Sequence, residues 1–217
     1  YAQLKGEEIS KIEGVDIVLG AQMKGQLLQK VQEVENSREL GSARMILQVD
    51  DIEKVDTVYS AYSSGERTRS FLKVQDGCDY KCTYCTIPAA RGRSRNLPIK
   101  QIVKEAQQIA ALGIKEVVLT GVNIGDFGRS TGEDFLELLK QLEQVDGIER
   151  YRISSIEPNL LTSEIVEWIA SGTKLLPHFH IPLQSGCDEI LRKMRRRYNT
   201  TMFRQKIELV RSYMGNP

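Results

Sequence analysis

The segment that decides the fold reads Gly77-Cys78-Asp79-Tyr80-Lys81-Cys82-Thr83-Tyr84-Cys85. Three of the four cysteines of the chain lie in it, with the spacing C-x3-C-x2-C, and the fourth is Cys187. Thiols this close in sequence are poor disulfide partners, but a tight loop can turn them toward one point as metal ligands. Three thiolates suit a [4Fe-4S] cluster whose remaining iron is open to a substrate or cofactor. The spacing therefore predicts such a cluster on this loop.

Other interpretations of the cysteines remain open. Zinc usually takes four ligands from two separated pairs, and the sequence has no second C-x2-C pair and no H-x3-5-H pair. A zinc site completed by a remote ligand would still fit, as would three unrelated buried cysteines. If the metal is structural, the alternative for the whole protein is a non-catalytic RNA-binding module whose fold is stabilised by that metal. Cys187 follows a glycine at the predicted start of a helix, so we interpret it as structural.

The composition is that of an ordinary globular protein. The chain has 217 residues, 41% of them hydrophobic and 27% charged, and no apolar run is long enough to cross a bilayer. We therefore expect no membrane partner. Free clustered cysteines fit a reducing compartment, so we expect a cytoplasmic location.

Positive charge is concentrated in two places, although the net charge is only +1. Residues 65–104 hold nine Lys or Arg against three Asp or Glu, and residues 192–197 read Arg-Lys-Met-Arg-Arg-Arg. Basic blocks beside a reactive site indicate a polyanionic substrate. The alternative is a solvated helix end, and charge alone does not distinguish the two.

The chain is predicted to have two domains. Val15–Gly20 is typical of a short buried strand, and Lys24–Val31 of a helix with Leu27, Leu28 and Val31 on one face. We assign residues 1–48 to the end of a small α/β domain. Residues 49–68 are predicted to be a linker, and residues 69–217 to be the core domain.

After residue 69 the pattern alternates between strands and helices. The predicted strands are Phe71–Val74, Glu116–Thr120, Tyr151–Ser154 and Pro177–Leu183. The predicted helices begin near residues 98, 133, 163, 187 and 201, with Thr200 as a cap of the last. This alternation predicts a parallel sheet with right-handed crossovers. Ligands of such sheets bind beyond the carboxyl ends of the strands, where the cysteine loop and several polar residues lie.

Five segments resemble the radical S-adenosylmethionine (SAM) methylthiotransferases. They are residues 77–88 with the cysteines, Arg91-Gly92-Arg93-Ser94-Arg95, Leu119-Thr120-Gly121-Val122-Asn123, Ser154-Ser155-Ile156-Glu157-Pro158 and His180-Ile181-Pro182-Leu183-Gln184-Ser185-Gly186. The resemblance implies an α/β fold, a partial (β/α)6 barrel with about four βα units present. It also implies a [4Fe-4S] cluster and SAM as cofactors, a tRNA substrate and an electron donor of the flavodoxin or ferredoxin type. In the family, a radical made from SAM removes hydrogen from C2 of an adenine, and a methylthio group is delivered there.

The resemblance also implies roles for individual residues. The cluster ligands would be Cys78, Cys82 and Cys85. The SAM-binding residues would be Tyr84, Gly121, Asn123, Glu157, Gln184 and Ser185. The arginines expected to contact tRNA phosphates are Arg91, Arg93, Arg95, Arg195 and Arg196. No catalytic residue is expected beyond the cluster and SAM.

The oligomeric state is not predicted. Three branches of the family are candidates for this chain. They modify threonylcarbamoyladenosine in tRNA, isopentenyladenosine in tRNA, or an aspartate of a ribosomal protein. Tyr1-Ala2-Gln3 and residues 121–128 favour the first branch, while a radical SAM enzyme with another substrate remains a further alternative. The family's second [4Fe-4S] cluster uses three amino-terminal cysteines that this sequence lacks. We therefore expect a fragment without most of the amino-terminal domain, the end of the barrel and the carboxyl-terminal TRAM domain.

Overall fold

The computed structural model describes residues 1–42, 45–63 and 68–215. They divide into two compact units, one formed by Tyr1–Tyr59 with Thr86–Arg93 and the other by Ser60–Cys85 with Ser94–Pro217. The predicted domain boundaries at residues 48 and 68 stay predictions.

The first unit is a small α/β unit. Its elements are α1 (Ala2–Ile9), β1 (Ile17–Leu19), α2 (Leu27–Glu39), β2 (Ile46–Gln48) and α3 (Ile87–Arg91). The two strands are parallel, with Ile17 opposite Ile46. The predicted strand and helix are therefore present, and β2 is one of the short extended pieces expected after residue 35.

The predicted inner face of α2 is wrong. Leu27 and Leu28 are 50% and 79% exposed, whereas Val34, one turn beyond the predicted end, is buried. A sheet of two three-residue strands offers little apolar surface. It covers only one side chain of the helix, so the remaining leucines stay in solvent.

The second unit contains a parallel sheet surrounded by helices. Its strands are β3 (Arg69–Lys73), β4 (Gln75–Asp76), β5 (Arg95–Asn96), β6 (Glu116–Thr120) and β7 (Arg150–Ile153). The parallel sheet has the order β3-β6-β7, and β4 pairs antiparallel with β5. The helices are α4 (Ile99–Ala111), α5 (Phe135–Glu143), α6 (Ser163–Ala170), α7 (Asp188–Lys193) and α8 (Thr200–Met214). The predicted α/β class with a parallel sheet is confirmed.

The core of this unit is formed by apolar side chains of the sheet and of α4 and α5. Leu72 and Leu119 lie opposite each other in the sheet and are fully buried, as are Ile102 of α4 and Leu139 of α5. Each such side chain contributes about 1.5–3 kcal/mol by leaving water. Thr162 caps α6, but α8 is capped by Asn199, whose Oδ1 accepts from the Met202 amide, and not by the predicted Thr200. No helix of the described residues has the length and hydropathy needed to cross a bilayer.

The predicted fourth strand, Pro177–Leu183, does not form. The chain there makes isolated bridges to the neighbourhood of β7, such as Ser155 with His180, where the Ile156 amide donates to the His180 carbonyl at 3.0 Å. Pro177 and Pro182 have no N–H to donate, so a continuous ladder is interrupted. The segment nevertheless follows the sheet edge, which brings Gln184 to the same end as the other loops.

Candidate cluster and cofactor site

The cysteine loop, residues 77–85, follows β3 and β4 at the carboxyl end of the parallel sheet. All three of its thiols are free: Cys82 is buried, Cys78 is half-buried and Cys85 is exposed. Burial raises the pKa of the Cys78 thiol to about 11, with smaller contributions from Asp126 and the two other cysteines. A coordinated metal reverses this balance, because a thiol that binds a metal loses its proton.

The basic segment, residues 192–197, lies against the cysteine loop. The Thr83 amide donates to the Met194 carbonyl at 3.3 Å. The Arg197 guanidinium carbon lies 3.9 Å from the centroid of the buried Tyr80 ring, within cation–π range. Part of a run that looked like a solvated or phosphate-binding surface therefore packs on the loop.

Arg196 is the centre of this contact. Its Nη1 donates to Cys82 Sγ at 3.3 Å and to Tyr84 Oη at 3.1 Å, and its Nη2 pairs with the Glu157 carboxylate. The side chain is only 4% exposed. The prediction that Arg196 contacts tRNA is therefore wrong in this geometry, because a buried and paired guanidinium cannot reach a phosphate.

Buried polar atoms without partners surround the ends of β6 and β7. Among the described residues, both side-chain atoms of Asn123, Ser154 Oγ, Asn159 Oδ1 and Arg196 Nε are buried and make no hydrogen bond. Such atoms are rare in folded proteins unless a ligand or water completes them. The Asn123 side chain, in a residue only 4% exposed, therefore keeps its hydrogen-bonding capacity for a polar ligand, and its role in SAM binding stays a prediction.

The other predicted cofactor residues are placed differently. Tyr84 is half-exposed beside Arg196. Gln184 is exposed and has a left-handed backbone, with φ of 63°. Ser185 Oγ accepts from the Cys187 amide at 3.2 Å, so part of its hydrogen-bonding capacity is used within its own turn. Cys187 itself is exposed, which does not fit a core role.

The predicted tRNA arginines are scattered. Arg95 is 6% exposed and lies 3.7 Å from Asp76, so burial contradicts its prediction as a phosphate contact. Arg195 is exposed in the basic segment. In the first unit, Arg91 ends α3, and the exposed Arg93 lies 3.5 Å from Glu53.

The donor set fits an iron–sulfur cluster by its chemistry. In the part of the chain that the structure describes, no three His, Cys, Asp or Glu side chains converge closely enough to hold a metal ion. Two of the thiols instead accept hydrogen bonds from protein groups, Cys78 from the Tyr80 amide and Cys82 from Arg196. Three free thiols on one loop, beside unpartnered polar atoms, nevertheless match the soft ligands that iron–sulfur clusters require.

Sequence reasoning missed four residues of this site: Gln75, Tyr80, Ser154 and Asn159. Asn159 Nδ2 donates to the Tyr80 hydroxyl at 2.6 Å, which fixes the ring under Arg197. Gln75 is fully buried at the root of the cysteine loop. No signal in the sequence pointed to Gln75, because the run before Gly77 also contains Lys73 and Asp76, so a further polar residue does not stand out.

Comparison with known proteins agrees with this geometry. The Radical SAM superfamily matches residues 72–216. The threonylcarbamoyladenosine tRNA methylthiotransferase MtaB of Bacillus subtilis is 38% identical over 210 residues, 95% of this chain and 46% of that protein. A tRNA-2-methylthio-N(6)-dimethylallyladenosine synthase of Fusobacterium nucleatum is 33% identical over 98% of this chain and 48% of its own length. The chain thus spans about half the length of these relatives.

Solved structures of radical SAM enzymes show the same fold. The radical SAM methyltransferase TsrM of Kitasatospora setae, with cobalamin and a [4Fe-4S] cluster bound, superposes with a TM-score of 0.54 at 19% identity. The overlap covers 67% of this chain and 27% of that one. The superfamily match implies SAM and a [4Fe-4S] cluster, which the three free thiols suit. From its cysteine loop, its parallel sheet and the match over residues 72–216, this chain belongs to the radical SAM superfamily.

Proposed function

We propose that the protein carrying this chain is a tRNA methylthiotransferase that modifies C2 of N6-threonylcarbamoyladenosine. The observation that carries the proposal is three free thiols on the loop after the first strand of the parallel sheet, beside the unpartnered polar atoms of Asn123 and Ser154. The relatives add the substrate class, since three that match 95–98% of this chain at 36–38% identity are named for threonylcarbamoyladenosine.

The residues of this chain would divide the work as follows. Cys78, Cys82 and Cys85 would hold the cluster, which when bound supplies the electron that cleaves SAM. The Asn123 amide, buried and unpartnered, offers one donor group and one acceptor to the amino-acid end of SAM. Arg196 and Glu157 neutralise each other beside the cysteine loop, so the site gains no net charge from this pair.

Other predicted cofactor residues keep proposed roles. The Tyr84 ring is half-exposed and can lie against the adenine of SAM. Gln184 and Ser185 stand where the chain turns after residue 183, and we assign them to the ribose. An electron donor of the flavodoxin or ferredoxin type would reduce the cluster.

The deciding experiment is nucleoside analysis of tRNA. The full-length protein is expressed in a bacterial strain that lacks its own methylthiotransferases, and digested tRNA is analysed by mass spectrometry. We expect the 2-methylthio derivative of threonylcarbamoyladenosine. The second candidate, suggested by the 33% identity to a dimethylallyladenosine enzyme, predicts the methylthio derivative of isopentenyladenosine instead. Absence of both products, with the protein soluble and loaded with iron, would refute a tRNA methylthiotransferase.

Arg195 is the best placed of the predicted phosphate contacts in the basic segment. It is exposed and has a φ of 57°, which asparagine tolerates, so Arg195→Asn removes the charge without straining the backbone. One lost phosphate contact should reduce the slope of log K against log salt by about 0.7–0.9. The slope is measured by tRNA binding to the full-length protein at several salt concentrations. Glu189→Gln, an exposed change on α7, is the control. An unchanged slope for Arg195→Asn would exclude this contact.

A further inference from the structure

A single buried amide, Gln75, joins the root of the cysteine loop to the loop that follows β6. Its Nε2 donates to the carbonyls of Gly77 at 2.7 Å and Asp76 at 3.0 Å. Its Oε1 accepts from the amides of Val122 and Asn123, both at 2.9 Å. The side chain has no exposed surface. Gln75 and Asn123 are 48 positions apart in sequence, so one side chain joins two loops that are distant in the chain.

Only an amide satisfies this arrangement. Two carbonyls on one side require a donor, and two N–H groups on the other require an acceptor. Nε2 also lies 2.9 Å from Ser94 Oγ, so this nitrogen has three acceptors within hydrogen-bond distance. A carboxylate in this place would direct oxygen at the carbonyls, and an aliphatic side chain would remove the hydrogen bonds that Gln75 makes to four backbone groups.

In the structure, glycine is needed at residue 121 because of the neighbouring Gln75 side chain, and not for the predicted contact with SAM. A Cβ at this residue would lie 2.9 Å from Gln75 Oε1 and 3.1 Å from Gln75 Cβ. Its backbone is not in the left-handed region, so the glycine is not required by conformation. It is required because the Gln75 side chain passes over it. Gly121 was predicted to bind SAM, whereas the atoms nearest to a Cβ at this residue are those of Gln75.

Asn123 links this bridge to the site. The backbone amide of Asn123 donates to Gln75 Oε1, while its buried side-chain amide has no partner among the described residues. Gln75 therefore fixes the backbone of a residue whose side-chain amide is buried and unpartnered, and which we assign to SAM. The side-chain Nε2 of Gln75 also donates to the carbonyl of Gly77, one residue before the first cysteine.

We propose that Gln75 is the positioning residue that keeps the cysteine loop and the Asn123 loop in one fixed relation, with Gly121 providing the space it needs. Gln75 touches neither thiol nor cofactor and acts through Gly77 and Asn123. The inference rests on the proposed function for its consequence, which is that SAM affinity depends on this bridge. Its structural part, the coupling of the two loops, does not depend on that function.

Gln75→Leu in the full-length protein tests the proposal, with Ser70→Ala as the matched control. Ser70 is also fully buried on β3, and its hydroxyl donates to the Ser63 carbonyl, away from both loops. Amide hydrogen exchange of the metal-free protein reports the coupling. We expect exchange at Val122 and Asn123 to accelerate about tenfold or more in Gln75→Leu and to stay unchanged in Ser70→Ala.

The affinity for SAM distinguishes a positioning role of Gln75 from a general effect on stability. After anaerobic reconstitution, the SAM dissociation constant measured by calorimetry should rise about tenfold in Gln75→Leu at equal iron content per folded chain, and should not change in Ser70→Ala. Accelerated exchange with unchanged SAM affinity would overturn the link to the cofactor. Unchanged exchange would overturn the bridge itself. If wild type binds neither iron nor SAM, the proposed function fails, while the exchange result still decides the bridge.

Gly121→Ala provides a second route that leaves Gln75 in place. The added methyl must displace the Gln75 side chain, so we expect the same acceleration at Val122 and Asn123. The double variant Gln75→Ala/Gly121→Ala should exchange no faster than Gln75→Ala alone, because both changes break one bridge. Additive effects in this cycle would contradict the proposal even if Gln75→Leu failed to fold.

Discussion

Cys82→Ala is expected to abolish the iron–sulfur cluster on this loop. Anaerobic reconstitution of the full-length protein should load about four irons at this site in the wild type, and the variant keeps only two of the three thiolates that such a cluster needs. Cys82 is also the buried member of the three, so water or buffer thiols replace it poorly. Iron and sulfide are measured chemically, and the thiolate-to-iron charge-transfer absorbance is recorded with and without SAM. We expect the spectral response to SAM to disappear.

Cys187→Ala is the matched control for that experiment. It removes the one cysteine outside the loop, which is exposed and makes no side-chain cap for α7. Its iron content and spectrum should equal those of wild type. Any second cluster elsewhere in the full-length protein contributes equally to all three proteins, so the difference between them isolates this site. Equal iron in Cys82→Ala and wild type, or colourless protein with one zinc, would contradict the radical SAM assignment of the loop.

Arg196→Met is expected to destabilise the second unit severely. Glu157 is 16% exposed and Arg196 4%, so the variant leaves a largely buried carboxylate without its cation. Breaking a buried ion pair from one side costs about 3–5 kcal/mol. The loss also frees Cys82 Sγ and Tyr84 Oη from their shared donor. The free energy of unfolding in urea, measured on the metal-free full-length protein under reducing conditions, gives the cost.

Two further variants separate charge from packing. Arg196→Met/Glu157→Gln removes both charges, and we expect it to be less destabilised than Arg196→Met alone. Arg192→Met, an exposed change in the same basic segment, should lie within about 0.5 kcal/mol of wild type. If Arg196→Met were as stable as Arg192→Met, the buried pair with Glu157 would have no energetic role.

The elements that sequence predicted best are those set by local pattern. The apolar faces of α4 and α5 follow a period of 3.6 residues, and β6 is a continuous apolar run between two polar ends. The cysteine spacing likewise lies within eight residues. The predicted burial of Leu27 and Leu28 was wrong because local pattern does not reveal how much surface the partner sheet offers to the helix.

The site contacts that were missed depend on residues far apart in sequence. The run at 192–197 indicates charge, but only the fold shows that Arg196 is buried against Cys82 while Arg195 points to solvent. Gly121 was assigned to SAM because glycine permits close approach of any group. The group that approaches it in the structure is Gln75, whose importance no composition or periodicity could reveal.

The hydrogen bonds between the cysteine loop and the basic segment join residues 110 to 118 positions apart. Translation proceeds at about 5–20 residues per second, so these partners leave the ribosome roughly 5–20 seconds after the cysteines. Until then nothing of residues 193–197 can close over Cys82. A nascent chain therefore presents the Cys82 thiol without this cover for a period set by synthesis, which ends when Arg196 packs against it.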